Sequence, residues 1–212
     1  MVLTQRLLTS SVKKTNYILL TFSVETNLTG KNVDKLECTR RIGVNQMNEA
    51  KQWIESLQMQ RHPEGGWFRE VYRSHETIYH QCLPSRFTGD RTFSTAIYFL
   101  LNETDFSALH RIKQDELWHF YDGTSLTIHM IDPAGNYSII KLGKDLHSGE
   151  HPMAVVQAGS LFGAAVNNSE SYALVGCTVA PGFNFEDFVM PDCEQLLELY
   201  PQHQHIIEKL TR

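Results

Sequence analysis

Between residues 68 and 179 the sequence is a close succession of short strand-like segments, and this constrains the fold more than any other feature. Nine such segments follow one another: 68–74, 92–101, 107–112, 117–121, 126–131, 137–142, 152–157, 161–166 and 172–179. They are rich in β-branched and aromatic residues, and Asp122-Gly123 and Pro133-Ala-Gly135-Asn136 supply tight turns between them. Residues 92–101 are apolar on both faces, the pattern of a strand covered on two sides. Many short strands with short turns predict an all-β sandwich or barrel, and a sheet closed in this way leaves an interior wide enough for one small ligand. Short helices flank the series. Asn48 can cap a helix over 49–57, Asp192 one over 191–199, and a last helical turn or two falls over 206–210.

The 212 residues suit one domain with an extension. A hydrophobic fraction of 42% and a charged fraction of 20% exclude coiled-coil, collagen-like and wholly disordered classes. No run of about 18 apolar residues is present, so no membrane-spanning helix is expected. Cys38, Cys82, Cys177 and Cys193 share no CxxC spacing, which argues against a zinc finger, a redox motif or a disulfide scaffold and for a reducing, cytoplasmic setting. The net charge of −5 argues against nucleic-acid binding. That charge is uneven: residues 1–46 carry seven basic and three acidic residues, net +4, and residues 47–212 carry net −9. Arg6, Lys13 and Lys14 among many Ser and Thr give the first segment the composition of a mitochondrial or other organellar transit peptide. Two other readings stay open: an extension with no fold of its own, or translation that starts at Met47. Residues 17–24 could pair as a strand. The expected division is therefore 1–46 as a basic extension and 47–212 as the folded domain.

The chemistry concentrates at His110-Arg-Ile112-Lys-Gln-Asp-Glu116. Side chains alternate along a strand, so His110 and Ile112 share a face; after a turn over 113–115, Glu116 shares its face with Trp118 and Phe120. Two neighbouring strands thus aim an imidazole and a carboxylate into one apolar pocket. Burial raises the pKa of a lone carboxyl and lowers that of a lone imidazole, and proximity opposes both shifts; either way the pair can exchange protons near neutral pH. His62-Pro-Glu-Gly-Gly66 is a turn-rich loop from which Glu64 can reach the barrel mouth. Arg73, Arg91 and Arg111 are candidates for bidentate anion contacts, with structural ion pairs as the bland alternative. Tyr98, Trp118 and Phe120 serve either as core or as ligand platform. Residues 181–188, with Phe183, Phe185 and Phe188, form either a lid or a subunit-docking segment, and docking is the preferred reading. Cys177, in an apolar strand, reads as an inert buried thiol. No Gly-x-Ser-x-Gly elbow is present.

The spacing His110-x-Ile112-x(3)-Glu116-x(6)-Gly123 resembles the first motif of the cupin superfamily, with Ile112 where that family normally has a second His. The second motif would fall on Gln157-Ala-Gly159-Ser-Leu-Phe162, with Gln157 for its Pro and Phe162 for its metal-binding His. Further blocks match in order: His62–Gly66, Tyr72-Arg-Ser74, Ala96-Ile-Tyr98, Phe106-Ser-Ala-Leu-His-Arg111, Asp115-Glu-Leu-Trp-His-Phe-Tyr121 and Gly176-Cys-Thr-Val-Ala-Pro-Gly-Phe183. They resemble the small single-domain cupin branch of unknown function, over roughly residues 48–200. The resemblance implies a single RmlC-like jelly-roll barrel, related to the dTDP-4-keto-sugar epimerases, and a homodimer. Two of the usual four metal ligands are missing, and one His with one Glu makes a poor transition-metal site, so no metal or other cofactor is expected. His129 could substitute as a ligand; His119 has the wrong parity unless a bulge intervenes. Phe162 puts an apolar ring where a ligand would be and favours stacking on a planar or sugar-like group.

The leading expectation is a metal-free cupin that binds a small polar or sugar-like molecule, with no nucleic-acid or membrane partner. His110 and Glu116 would orient it or move protons; Glu64, Arg73, Tyr98, Trp118, His119, Phe120 and Phe162 would contact it. A sugar-nucleotide epimerase or isomerase with His110 as base is the first alternative, its opposing acid unassigned among Tyr98, Tyr121 and Glu64. A metal-dependent dioxygenase using His110, Glu116 and recruited histidines is the second, and a storage-like structural protein a further one.

Overall fold

The computed structural model describes residues 46–168 and 170–212; the readings made for residues 1–45 lie outside them. The described residues begin with a helix over 46–56 (α1) and continue through twelve strands. These are β1 (Gln60–Arg61), β2 (Trp67–Arg73), β3 (Thr77–Ile78), β4 (Arg91–Thr92), β5 (Thr95–Asn102) and β6 (Phe106–Arg111), then β7 (Asp115–Gly123), β8 (Leu126–Ile131), β9 (Tyr137–Leu142), β10 (Met153–Val156), β11 (Leu161–Val166) and β12 (Tyr172–Ala180). Helices α2 (Cys193–Leu199) and α3 (Gln204–Leu210) close it. The nine expected strands are present, β1 and β3 add two residues each in loop regions, and β4 is the detached start of the strand expected over 92–101. The strand expected over 92–101 is broken at Ser94, whose carbonyl accepts from Ser74 N–H and whose hydroxyl donates to the Val179 carbonyl.

The strands form two antiparallel sheets and a small ribbon. The long sheet has the order β1-β2-β5-β12-β7-β10, the short sheet β6-β11-β8-β9, and β3 pairs with β4. Consecutive β5, β6, β7 and β8 alternate between the sheets, which makes a jelly roll rather than a meander. The sheets meet over a core that includes Phe99, Leu101, Trp118, Leu126, Ile128, Phe162, Val175 and Cys177. The central strand β12 alternates poorly because it is covered on both faces near Leu174, as residues 172–177 are all buried. On the outside, α2 and α3 lay Leu196, Ile206, Ile207 and Leu210 on Leu109, Ile131 and Leu161 of the short sheet. Helix α1 packs Ala50, Trp53 and Ile54 against Leu100, Tyr172 and Leu174 of the long sheet. Asp192 caps α2 through a reciprocal capping box with Gln195, as its position predicts. No helix of the described residues is long and apolar enough to cross a membrane.

This topology sets the geometry of the site. His110 lies on β6 in the short sheet and Glu116 on β7 in the long sheet. The two therefore face each other across the barrel. They are not side by side on paired strands, because β6 and β7 are consecutive in sequence but cross between sheets.

Candidate functional site

A cavity of about 260 Å³ opens at one end of the barrel. Its inner wall carries His62, Glu64, His110, Glu116 and Cys177, and its mouth Glu70, Arg73 and residues 183–185. Apolar walls come from Phe68, Ile97, Phe99, Ile112, Val179 and Phe188.

Glu64 is brought in by the loop that follows β1. Its carbonyl accepts from Ala108 N–H at 2.8 Å, and His62 and Gly66 exchange a backbone bond across the turn. Gly65 adopts φ +112°, and a Cβ there would meet the Phe106 carbonyl oxygen at 2.1 Å, so only glycine lets the loop lie this close to β6. Asp105 holds the loop from outside: it bonds Arg61 and accepts from Arg212 at 2.6 Å, and Arg212 Nε donates to the Glu64 carbonyl at 3.3 Å. Glu64 thus lies 94% buried, with Oε1 accepting from Ser107 Oγ at 2.8 Å.

Glu64 Oε2 stands 3.2 Å from His110 Nε2 and 3.4 Å from His62 Nδ1. His110 Nδ1 lies 2.7 Å from the Ala108 carbonyl, which only accepts, so Nδ1 carries a proton and Nε2 faces Glu64. Burial pushes the Glu64 pKa up, against the pull of His62, the Ser107 bond and Arg212. Burial also pulls His110 down, against Glu116 and the Ala108 bond, and pulls His62 down against Glu64. Both shifts favour the neutral pair, in which one proton on Glu64 is donated to His110 Nε2. Phe188 stacks on the imidazole at 5.2 Å between ring centroids, and Phe162 packs tilted against it at 4.1 Å.

Glu116 is 92% buried. Burial raises its pKa to about 7, with His110 opposing, the Glu64 charge adding, and a hydrogen bond from Cys177 opposing. Burial and the Glu116 charge push the Cys177 thiol well up, so it stays protonated, as its apolar strand predicts.

A model of the cupin superfamily (DUF985) matches residues 51–191. The chain belongs to this cupin family. Protein SO0799 of Shewanella oneidensis has a similar structure at 42% identity and a TM-score of 0.70, covering 77% of this chain and 97% of that one. A hypothetical protein from Leishmania major matches at 34% identity and a TM-score of 0.69, covering 76% and 98%. The uncharacterized protein YML079W of Saccharomyces cerevisiae is 28% identical over 146 residues, 65% of this chain and 72% of that protein.

Of the residues read from sequence, the cupin barrel brings His110, Glu116, Glu64 and Arg73 to the cavity. Arg73 sits at the mouth with its guanidinium on Glu70, at 2.9 and 2.6 Å, and on the Phe183 carbonyl. The other five do not line it. Tyr98 and His119 point to the outer face of the long sheet, where Tyr98 meets Tyr121 edge-on and His119 lies by Thr178. Parity put them there, and it removes Tyr98 and Tyr121 as opposing acids. Trp118, Phe120 and Phe162 belong to the core beneath the cavity. Phe162 packs tilted against His110, with ring centroids 4.1 Å apart, and is itself fully buried, so the surface expected to receive a ligand is closed off by the imidazole. Residues 183–188 roof the cavity, which supports the lid reading over docking. Arg91 makes a structural pair: it grips Asp187 with two bonds of 2.7 Å, and Gln114 and Lys113 join.

His62 is the site residue that sequence reasoning passed over. It stands in the same block as Glu64, and the signal was its position two residues before a carboxylate that must turn inward. Phe68 and Phe99 were missed as cavity walls because nothing local separates a core ring from a lining one.

The cupin fold raises the question of a metal. His110 Nε2 is turned to Glu64, and the positions matching the other histidine ligands hold Ile112 and Phe162, both buried and apolar. His129 faces away, bonded to the Tyr137 hydroxyl at 2.6 Å, and burial together with Lys209 and His205 lowers its pKa to about 4. No group of three or more His, Cys, Asp or Glu is placed to hold a metal ion among the described residues. The donor set does not fit a transition-metal centre.

Proposed function

We propose that this cupin binds a small polar molecule inside the barrel, using its own carboxyl and imidazole groups rather than a metal. The observation that carries this is the placement of Glu64, His110 and Glu116, all more than nine-tenths buried, around one cavity. Burying ionisable groups is costly unless something satisfies them, and a barrel needing only stability would fill this space with apolar side chains. The volume of about 260 Å³ lies below the roughly 300–1,000 Å³ of pockets for drug-sized ligands, which favours an occupant of monosaccharide size or smaller. A sugar nucleotide would have to leave its nucleotide outside the roof.

The test is thermal stabilisation of the full chain by a panel of monosaccharides, hydroxy acids, keto acids and small amines, beside His110→Asn and Glu116→Gln. Stabilisation that depends on these residues supports binding. A flat response across the panel, with the variants folded, refutes it.

A second reading, proton transfer within the bound molecule, is favoured by one observation. His110 is held neutral with Nε2 directed at Glu64, while Glu116 titrates near 7 on the opposite sheet. A neutral imidazole and a carboxyl that holds its proton up to about pH 7, on opposite walls of one cavity, can serve as base and acid for isomerisation next to a carbonyl. Solvent deuterium would enter the substrate and would fail to enter with His110→Asn.

A further inference from the structure

We infer that the cavity selects a small organic ammonium over a neutral or anionic molecule of the same shape. This rests on the binding reading above and names its ligand class. The carboxyl groups around the cavity outnumber the permanent cations: among the described residues Glu64, Glu70 and Glu116 line it, with Arg73 as the one Lys or Arg. Arg73 is already engaged by Glu70 through two hydrogen bonds and by the Phe183 carbonyl. An anion entering the barrel would thus meet two carboxyl groups and, among the described residues, no cation left unpaired.

Glu116 is the group a cation would complete. Among the described residues no Lys or Arg pairs with it. The groups that face it are His110 from β6, Glu64 from the loop after β1, and Cys177 from β12. Glu64 is occupied by Ser107, His110 and His62, so Glu116 is the carboxyl with bonding capacity left. A neutral ligand can accept a proton from it or donate to it, but only a cation offsets the burial that opposes its ionisation.

The walls agree. Phe68 and Phe99 on the long sheet and Phe183, Phe185 and Phe188 on the roof surround the space above Glu116. Ring faces attract an ammonium group, more strongly when water is excluded. Buried carboxylate with aromatic walls is the chemistry of amine recognition, and the wall area suits an alkylated amine. The proton balance is simple. When Glu116 is protonated, a bound ammonium displaces that proton to solvent and leaves the carboxylate paired with the cation.

The test compares choline with its uncharged carbon isostere 3,3-dimethyl-1-butanol, and ethanolamine with ethylene glycol and glycolate, by calorimetry on the full chain. The cations should bind at least about tenfold more tightly than their isosteres. Both cations keep their charge between pH 6 and 8, while Glu116 passes from mostly protonated to mostly ionised, so their affinity should fall about tenfold from pH 8 to pH 6. The isostere should change less than about twofold. Glu116→Gln should remove the preference for charge and still bind the isostere; the wild-type pH profile decides the matter if that variant does not fold. Equal or tighter binding of an isostere, of glycolate, or of a sugar from the wider panel overturns the ammonium class and leaves the binding reading standing. Binding by no probe of any kind overturns both.

Discussion

Replacing Arg91 by Ala should loosen the roof of the cavity and cost stability by an amount the structure bounds. Its guanidinium is buried and meets Asp187, also buried, through two hydrogen bonds of 2.7 Å, with Glu186 at 3.5 Å. Removing one partner of a buried pair costs about 3–5 kcal/mol, because the other charge stays behind unpaired. Here Lys113 at 3.2 Å and Gln114 at 2.7 Å still hold Asp187, which points to the lower end, about 3 kcal/mol. For a domain of this size that corresponds to a fall in Tm of roughly 6–12 °C. Urea unfolding should show a lower midpoint at constant slope. The pH dependence gives a second readout. Burial alone would raise the Asp187 pKa, but Arg91, Gln114 and Lys113 outweigh it and hold the carboxyl below its ordinary value. A depressed carboxyl contributes stability that is present above its unfolded pKa and lost as pH falls through its folded one. The acid limb of the stability curve should therefore be shallower in Arg91→Ala, and Arg91→Lys should recover only part of the loss, because an ammonium cannot make the forked pair. A Tm within about 2 °C of wild type, or an acid limb of unchanged slope, would refute the assignment of Arg91 as the anchor of the roof.

The remaining predictions concern the site and the surface. Gly65→Ala forces a Cβ against the Phe106 carbonyl at φ +112°, so it should destabilise by about 2 kcal/mol or more and reduce ligand stabilisation by displacing Glu64, checked by paired melts with and without ligand. Glu116→Gln removes a carboxyl whose folded pKa is raised to about 7, a group whose stabilising contribution is full below its unfolded pKa and lost as pH rises through 7; the variant should gain on the order of 2–3 kcal/mol over wild type at pH 8 relative to pH 4, read from urea titrations at both values. Phe185 is 57% exposed on the roof, so Phe185→Ala should shift Tm by less than about 2 °C yet weaken ligand binding several-fold through faster release, measured by stopped flow. We also propose the homodimer that the resemblance implies, through the outer face of the long sheet, where Val71, Tyr72, Tyr121, Met153 and Val155 are exposed; light scattering should give twice the chain mass, and Val155→Glu should reduce it to one.

Alternation and turn chemistry made most of the barrel legible. Residues 126–131, 137–142 and 161–166 fall where the pattern put them, because each is a short apolar or β-branched run bounded by turns. The Asp192 cap was equally local. Strands β1 and β3 were not legible, nor was the separation of β4 from β5, since two residues carry no period and only a partner strand makes them strands. For the site, parity placed His110, Ile112 and Glu116 inward and His119 outward.

The sequence alone determined the class of fold and the inward set of β6 and β7, because side-chain alternation is a property of each strand by itself. Tertiary structure decided what those groups do to one another. It placed β6 and β7 on opposite sheets, so Glu116 faces His110 across a space and not along a ladder. It folded a loop fixed by Gly65 under β6, so the carboxyl that bonds His110 is Glu64, 46 positions earlier in the chain. It also took Phe162 out of reach of a ligand by laying His110 over it. Each depends on which elements pack together, and a pattern with a period of two residues holds no record of its partner.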